Sequence, residues 1–147
     1  MYKVIGESVK SAISIKLGEI FGEDTNRYKE AVTKMLYPNF FIYQVSADIT
    51  PNTVNRWHID YLMNIRYRVA EDTTNITTLE QKLDEVALKL MAEFTEIQLE
   101  RPVFVRNARY EKVDGVLQFF FNVTVRIQRE LEEEPVQEKL NINEEVL

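Results

Sequence analysis

The chain has no cysteine, one histidine and four glycines in 147 residues. Without cysteine there is no disulfide framework and no thiolate metal site. The lone histidine, His58, has Asp60 two positions on along one strand face. That pair offers two donors, and a zinc site normally takes three or four ligands. Gly6, Gly18, Gly22 and Gly115 are scattered, so no glycine-rich loop is available to cradle a phosphate. G-x-S-x-G is absent, and no Ser-His-Asp order suggests a triad. The adjacent carboxylates Glu71-Asp72 and Asp84-Glu85 read as solvated surface. No apolar run approaches the ~20 residues that cross a bilayer. The opening "MYKVIGESVKSAISIK" is amphipathic and has no continuous apolar stretch, so no signal peptide is expected. The chemistry of an enzyme therefore has no residues to rest on. No catalytic group, cofactor or metal is expected, and no membrane contact.

A basic excess is missing as well. Residues 1–129 hold 17 basic and 17 acidic side chains, and residues 130–147 hold seven glutamates and one lysine. The net charge of −6 thus belongs entirely to the C-terminal segment. A nucleic-acid-binding body would show a basic surplus. The expected organisation is one domain over residues 1–129 and an acidic tail over 130–147. The tail reads as solvated and flexible, or as an intersubunit arm with Val136, Leu140, Ile142 and Val146 to bury.

Periodicity supplies the elements. Ile5, Val9, Ile13, Leu17, Ile20 and Phe21 fall on one helical face over residues 4–21, and Gly22 stands where a helix stops. A short strand is expected in residues 27–32. "FFIYQVSADI", 40–49, alternates, with Phe41, Tyr43, Val45, Ala47 and Ile49 pointing one way. Turn chemistry follows at 50–56. In "RWHIDYLMNIRYRV", Trp57, Ile59, Tyr61, Met63, Ile65, Tyr67 and Val69 share one face of a long strand. Thr77 and Glu80 have capping-box spacing ahead of a helix whose stripe is Leu79, Leu83, Val86, Ala87, Leu90 and Phe94. Asp114-Gly115 predicts a type I′ turn between strands 103–113 and 116–129. The fold expected is α+β: an antiparallel sheet of about four to five strands, with two helices mainly on one face.

One feature is not required by this pattern. "LQFFFNV" has three consecutive phenylalanines, and a strand that buries one face needs every second residue apolar. Phe119 and Phe121 belong to the core face with Leu117, Val123, Val125 and Ile127, joined by Phe104, Ala108 and Tyr110. Phe120 points the other way. On that second face the spacing also places Phe40, Ile42, Leu62, Val103, Val105, Val113 and Val116. Of these, Phe40, Ile42, Leu62, Val103, Val105, Val116 and Phe120 are the candidate subunit interface. Arg66, Arg68, Arg109 and Arg126 share the face and are expected to pair with cross-strand acids.

The hairpin "RYEKVDGVLQFFFNVTVRI" resembles that of the tail terminator family of long-tailed phages and prophages of Gram-positive bacteria. The family pattern is an aromatic, then V-D-G-V-L, then an aromatic-rich strand. The opening amphipathic helix, the strand "YPNFFIYQVSADI" and a helix between two strand pairs agree with it. The resemblance covers residues 1–130 and leaves the acidic tail unmatched. It implies a non-enzymatic virion structural protein, assembled in the host cytoplasm. Such proteins form a ring, typically a homo-hexamer, on the head-proximal end of the tail. The ring contacts the tail tube protein and a head or neck completion protein. It ends tube polymerisation, offers a head-docking surface and lets DNA pass without specific binding. The alternatives are another head–tail joining protein, such as a neck adaptor or stopper, and a small non-catalytic binding domain.

Overall fold

The computed structural model describes residues 5–69 and 76–128. The element order is α1 (Ile5–Phe21), β1 (Asn26–Tyr28), β2 (Asn39–Thr53), β3 (Arg56–Arg68), α2 (Ile76–Glu93), β4 (Glu96–Gln98), β5 (Pro102–Phe104), β6 (Arg106–Val113) and β7 (Val116–Gln128). Five strands form one sheet in the order β1-β2-β3-β7-β6, and β4 and β5 make a separate two-stranded ribbon. The fold is α+β as expected. The main sheet is mixed, because β1 runs parallel to β2 while the other pairs are antiparallel.

Both helices lie on one face of this sheet. Val9, Ala12, Ile13 and Leu17 of α1 and Leu83, Val86, Ala87 and Leu90 of α2 share a core with the sheet residues Met63, Ile65, Phe119 and Phe121. α1 stops where Gly22 adopts φ 116°, and the Gly22 N–H closes the last turn on the Gly18 carbonyl at 2.9 Å. The Asp114-Gly115 turn has φ 53° and 75°, both left-handed as type I′ demands, and it sets Val113 opposite Val116.

Four local departures have identifiable causes. β2 runs on through Pro51 to Thr53, and only Val54 and Asn55 turn the chain into β3. Thr77 is already inside α2, so it is not the capping residue. The strand expected over 103–113 breaks in two: Val103 pairs with Ile97 in the ribbon, and β6 joins the main sheet only from Arg106. Phe104 is consequently 69% exposed instead of facing the core. The short strand near 27–32 is β1, shifted toward Asn26.

Gly18 shows how α1 is locked to the sheet edge. Arg27 of β1 lays its guanidinium where a Gly18 side chain would stand and donates from Nη1 to the Ser14 carbonyl at 2.7 Å. By helix propensity alone, Gly18→Ala should gain about 1 kcal/mol. Displacing a charged hydrogen bond worth roughly 1.5–3 kcal/mol outweighs that gain. The expected result in urea unfolding is a net loss of about 1 kcal/mol.

Candidate interaction surface

The strand pairings decide which side chains face away from the helices. Opposite partners share a face, so Phe40 with Tyr67 and Ile42 with Ile65 belong to the core side. Phe40 and Ile42 are 1% and 0% exposed. They are therefore not on the outer face, contrary to the alternation read from the sequence. The reason is a register shift between Gln44 and Ser46. One extra residue at Val45 reverses the phase, so Phe40 and Ile42 face inward before it and Ala47 and Ile49 after it. Val103 and Val105 are also misplaced by the sequence pattern. They pack against the core from the β4–β5 ribbon and its exit, because the strand breaks at residue 105. Leu62, Val116 and Phe120 do stand on the outer face, each half-buried.

Across the middle of that face run two rows. Asn64 is flanked by Tyr43 and Phe120, with Arg109 beyond Phe120; Arg66 is flanked by Phe41 and Gln118, with Glu111 beyond Gln118. The Arg109 guanidinium sits 5.0 Å from the Phe120 ring centroid, and that of Arg66 sits 5.1 Å from Tyr43. For Arg66 and Arg109 these cation–π stacks stand in place of the expected acid pairs, and Arg68 and Arg126 make no ion pair among the described residues. One ion pair does form on this face: Arg106 to Asp60 at 2.6 Å, with Thr124 hydrogen-bonding the same Asp60 oxygen at 2.8 Å. Asn64 is 2% exposed; its Nδ2 donates to Gln118 at 3.1 Å, while its Oδ1 and the Arg66 Nε are buried without a partner.

Phe120 therefore fills a distinct place. It is the apolar floor beneath Arg109, on a face that no helix among the described residues covers. The signal for this pair was in the sequence. Counting back from the Asp-Gly turn sets Arg109 opposite Phe120, as the register confirms. The stack of Arg66 on Tyr43 needed the bulge and was not readable.

Among the described residues no catalytic geometry assembles on this face. Among the described residues no group of three or more His, Asp or Glu side chains could hold a metal ion. His58 Nδ1 lies 3.0 Å from the Asn52 side-chain oxygen, a hydrogen bond across the β2–β3 turn. No helix among the described residues is long and apolar enough to cross a membrane. A shallow groove between α2 and the β1–β2 edge has Phe21, Phe40 and Tyr67 at its base and Lys82, Glu85 and Lys89 on its rim. Asp24, Thr25 and Asn26 complete its polar lining, and the one histidine does not line it.

The resolved proton equilibria are structural. Burial pushes the Tyr61 and Tyr67 hydroxyls above their ordinary value. Hydrogen bonds from Lys112 to Glu80 and Asp84, at 2.7 and 3.0 Å, raise the Lys112 ammonium. All three hold their protons more tightly folded than unfolded. Their contribution is complete below about pH 10 and is lost as pH rises through the folded values. Thermal stability is therefore expected to fall above about pH 10. A melting series from pH 8 to 11 checks this.

Comparison with known proteins gives three findings. A family model described as phage tail terminator protein matches residues 8–135. A chain from the virion of a native gene transfer agent particle is similar in structure, at 11% identity and a TM-score of 0.48, covering 86% of this chain and 99% of that one. No curated protein matches the chain.

Proposed function

Because the chain belongs to the phage tail terminator family, we propose that it acts as a ring on the head-proximal end of the tail tube. There it ends tube polymerisation and presents the surface to which the filled head docks. A phage tail structural role follows from the family, a structural one without enzymatic activity. The ring, its homo-hexameric closure, the tube and head contacts and the passage of DNA are the proposed part.

The family match over residues 8–135 carries the reading. The architecture supports it physically. A ring subunit needs two different patches that meet on neighbouring copies, with rotational closure to stop growth. The outer sheet face, with Leu62, Val116 and Phe120, is one such patch. The β2 edge is another: β1 covers it only at residues 39–41, leaving the rest of the strand paired on one side alone. The bulge at Val45 and Pro51 deter indiscriminate pairing along that edge. The body carries no net charge and the segment after residue 129 is acidic. A ring so charged lets DNA slide through without binding.

Immunogold labelling of purified tails with an antibody to this chain tests the placement. One label cluster at the head-proximal end is expected. Label along the whole tube would identify a tube subunit instead, and label only on heads would identify a neck protein.

A further inference from the structure

The outer sheet face has more positive charge than its own acids neutralise. Arg66, Arg109 and Arg126 make no ion pair among the described residues. The Arg66 Nε is buried without an acceptor. Between these guanidinium groups lie Tyr43, Leu62 and Phe120, all partly or largely exposed. An occupant of this face must bring carboxylates and aliphatic side chains together. The chain contains one segment of that composition. Residues 130–147, "ELEEEPVQEKLNINEEVL", set seven glutamates against one lysine and intersperse Val136, Leu140, Ile142 and Val146.

We propose that residues 130–147 of one subunit dock on the outer sheet face of a second copy, with carboxylates on Arg66, Arg109 and Arg126 and aliphatic side chains on Phe120 and Leu62. This rests on the ring reading above and adds to it a contact made at the outer-face patch. Carboxylate–guanidinium contacts are among the stronger polar pairings and carry directional specificity. The acidic segment and the basic face sit on one chain, so each copy offers both halves of a heterologous contact.

Chain length favours a neighbour over the subunit's own face. β7 carries the chain past the Phe120 row and ends at Gln128, opposite Arg56 at the tip of the sheet. Residues 129–134, "RELEEE", contain no glycine, proline, asparagine, aspartate or serine. The first residue that favours a turn is Pro135. Fifteen positions separate Phe120 from Pro135, and twelve residues follow Pro135. At about 3.3 Å per residue, a fully extended segment turning there could return as far as its own Arg126 but would stop roughly 10 Å short of its own Phe120, and so short of Arg109 and Arg66 beside and beyond it. A neighbour brought alongside imposes no such limit.

The absence of native cysteine makes disulfide trapping clean. Ser46→Cys, on the outer face beside Leu62, is combined with Leu140→Cys in the full chain. The variant is carried by the parent phage, and isolated tails are oxidised. A covalent ladder of linked subunits is expected. It should fall about tenfold or more when Arg66→Gln and Arg109→Gln are added. Tails of normal length with no ladder overturn the arm and leave the terminator reading standing. Monomers linked within one chain overturn it too, by placing the segment on its own subunit. Glu111→Cys with Leu140→Cys repeats the test across the face, so a single badly tolerated substitution does not decide it.

Discussion

Phe121→Ala is expected to lower the unfolding free energy by about 3–5 kcal/mol. Phe121 is fully buried, 4.9 Å from Phe94 and 5.7 Å from Phe119 between ring centroids. These rings join α2's C-terminal end to the centre of the sheet. Truncation removes an edge-on aromatic contact and leaves a cavity bounded by β3, β7 and α2, which rigid strands do not collapse to fill. A domain of this size has about 5–15 kcal/mol in total, so a large share of its stability goes. Phe120→Ala, one residue away, should cost about 1 kcal/mol. It loses a partly exposed cation–π stack and no enclosed volume. Urea unfolding of the two variants side by side checks the contrast. Equal costs would mean that Phe120 is also a core residue.

The second large effect is expected on assembly and not on folding. Phe120→Glu places a carboxylate beneath the Arg109 guanidinium, where the two can pair, so the melting temperature should stay within a few degrees. With residues 130–147 docked as proposed, the same change opposes an acidic segment with an acid. Like-charge juxtaposition across an interface costs several kcal/mol, on the order of 100-fold or more in association. The variant should therefore fold normally, judged by circular dichroism, and fail to restore infective particles to a phage lacking the wild-type gene. Restoration at wild-type titre would remove the outer face from the list of contacts. Phe120→Ser, which lacks the charge, should show a weaker form of the same defect.

Much of the fold was legible because single residues impose single geometries. Asp114-Gly115 dictated a left-handed turn, and that turn fixed every pairing back to Arg109. Gly22 stopped α1. β3 alternated cleanly because it is the central strand, with the helices on one side and a mixed face on the other. β2 misled for a physical reason. "FFIY" is apolar at all four positions, so its phase could not be set locally. The neat alternation of Val45, Ala47 and Ile49 does not carry back to Phe40, because the bulge between Gln44 and Ser46 reverses it. Phe40 and Ile42 therefore face the core against that alternation, while Leu62 and Phe120, on strands paired without a bulge, keep the outer positions that their spacing gives. Val103 and Val105 failed differently. Composition does not reveal that a strand leaves one sheet for another, and Phe104 exposed between two half-buried valines is the mark of that exchange. Arg66 and Arg109 stack on Tyr43 and Phe120, and on this face Asp60 pairs with Arg106.

The central claim is that this chain ends tail growth, and deletion tests it most directly. The coding sequence is removed from the parent phage, and tails in the induced lysate are measured by electron microscopy. Overlong tails of scattered length, unattached to filled heads, are the predicted result, with uniform length returning on complementation. Tails of uniform, normal length in the deletion strain would contradict the account.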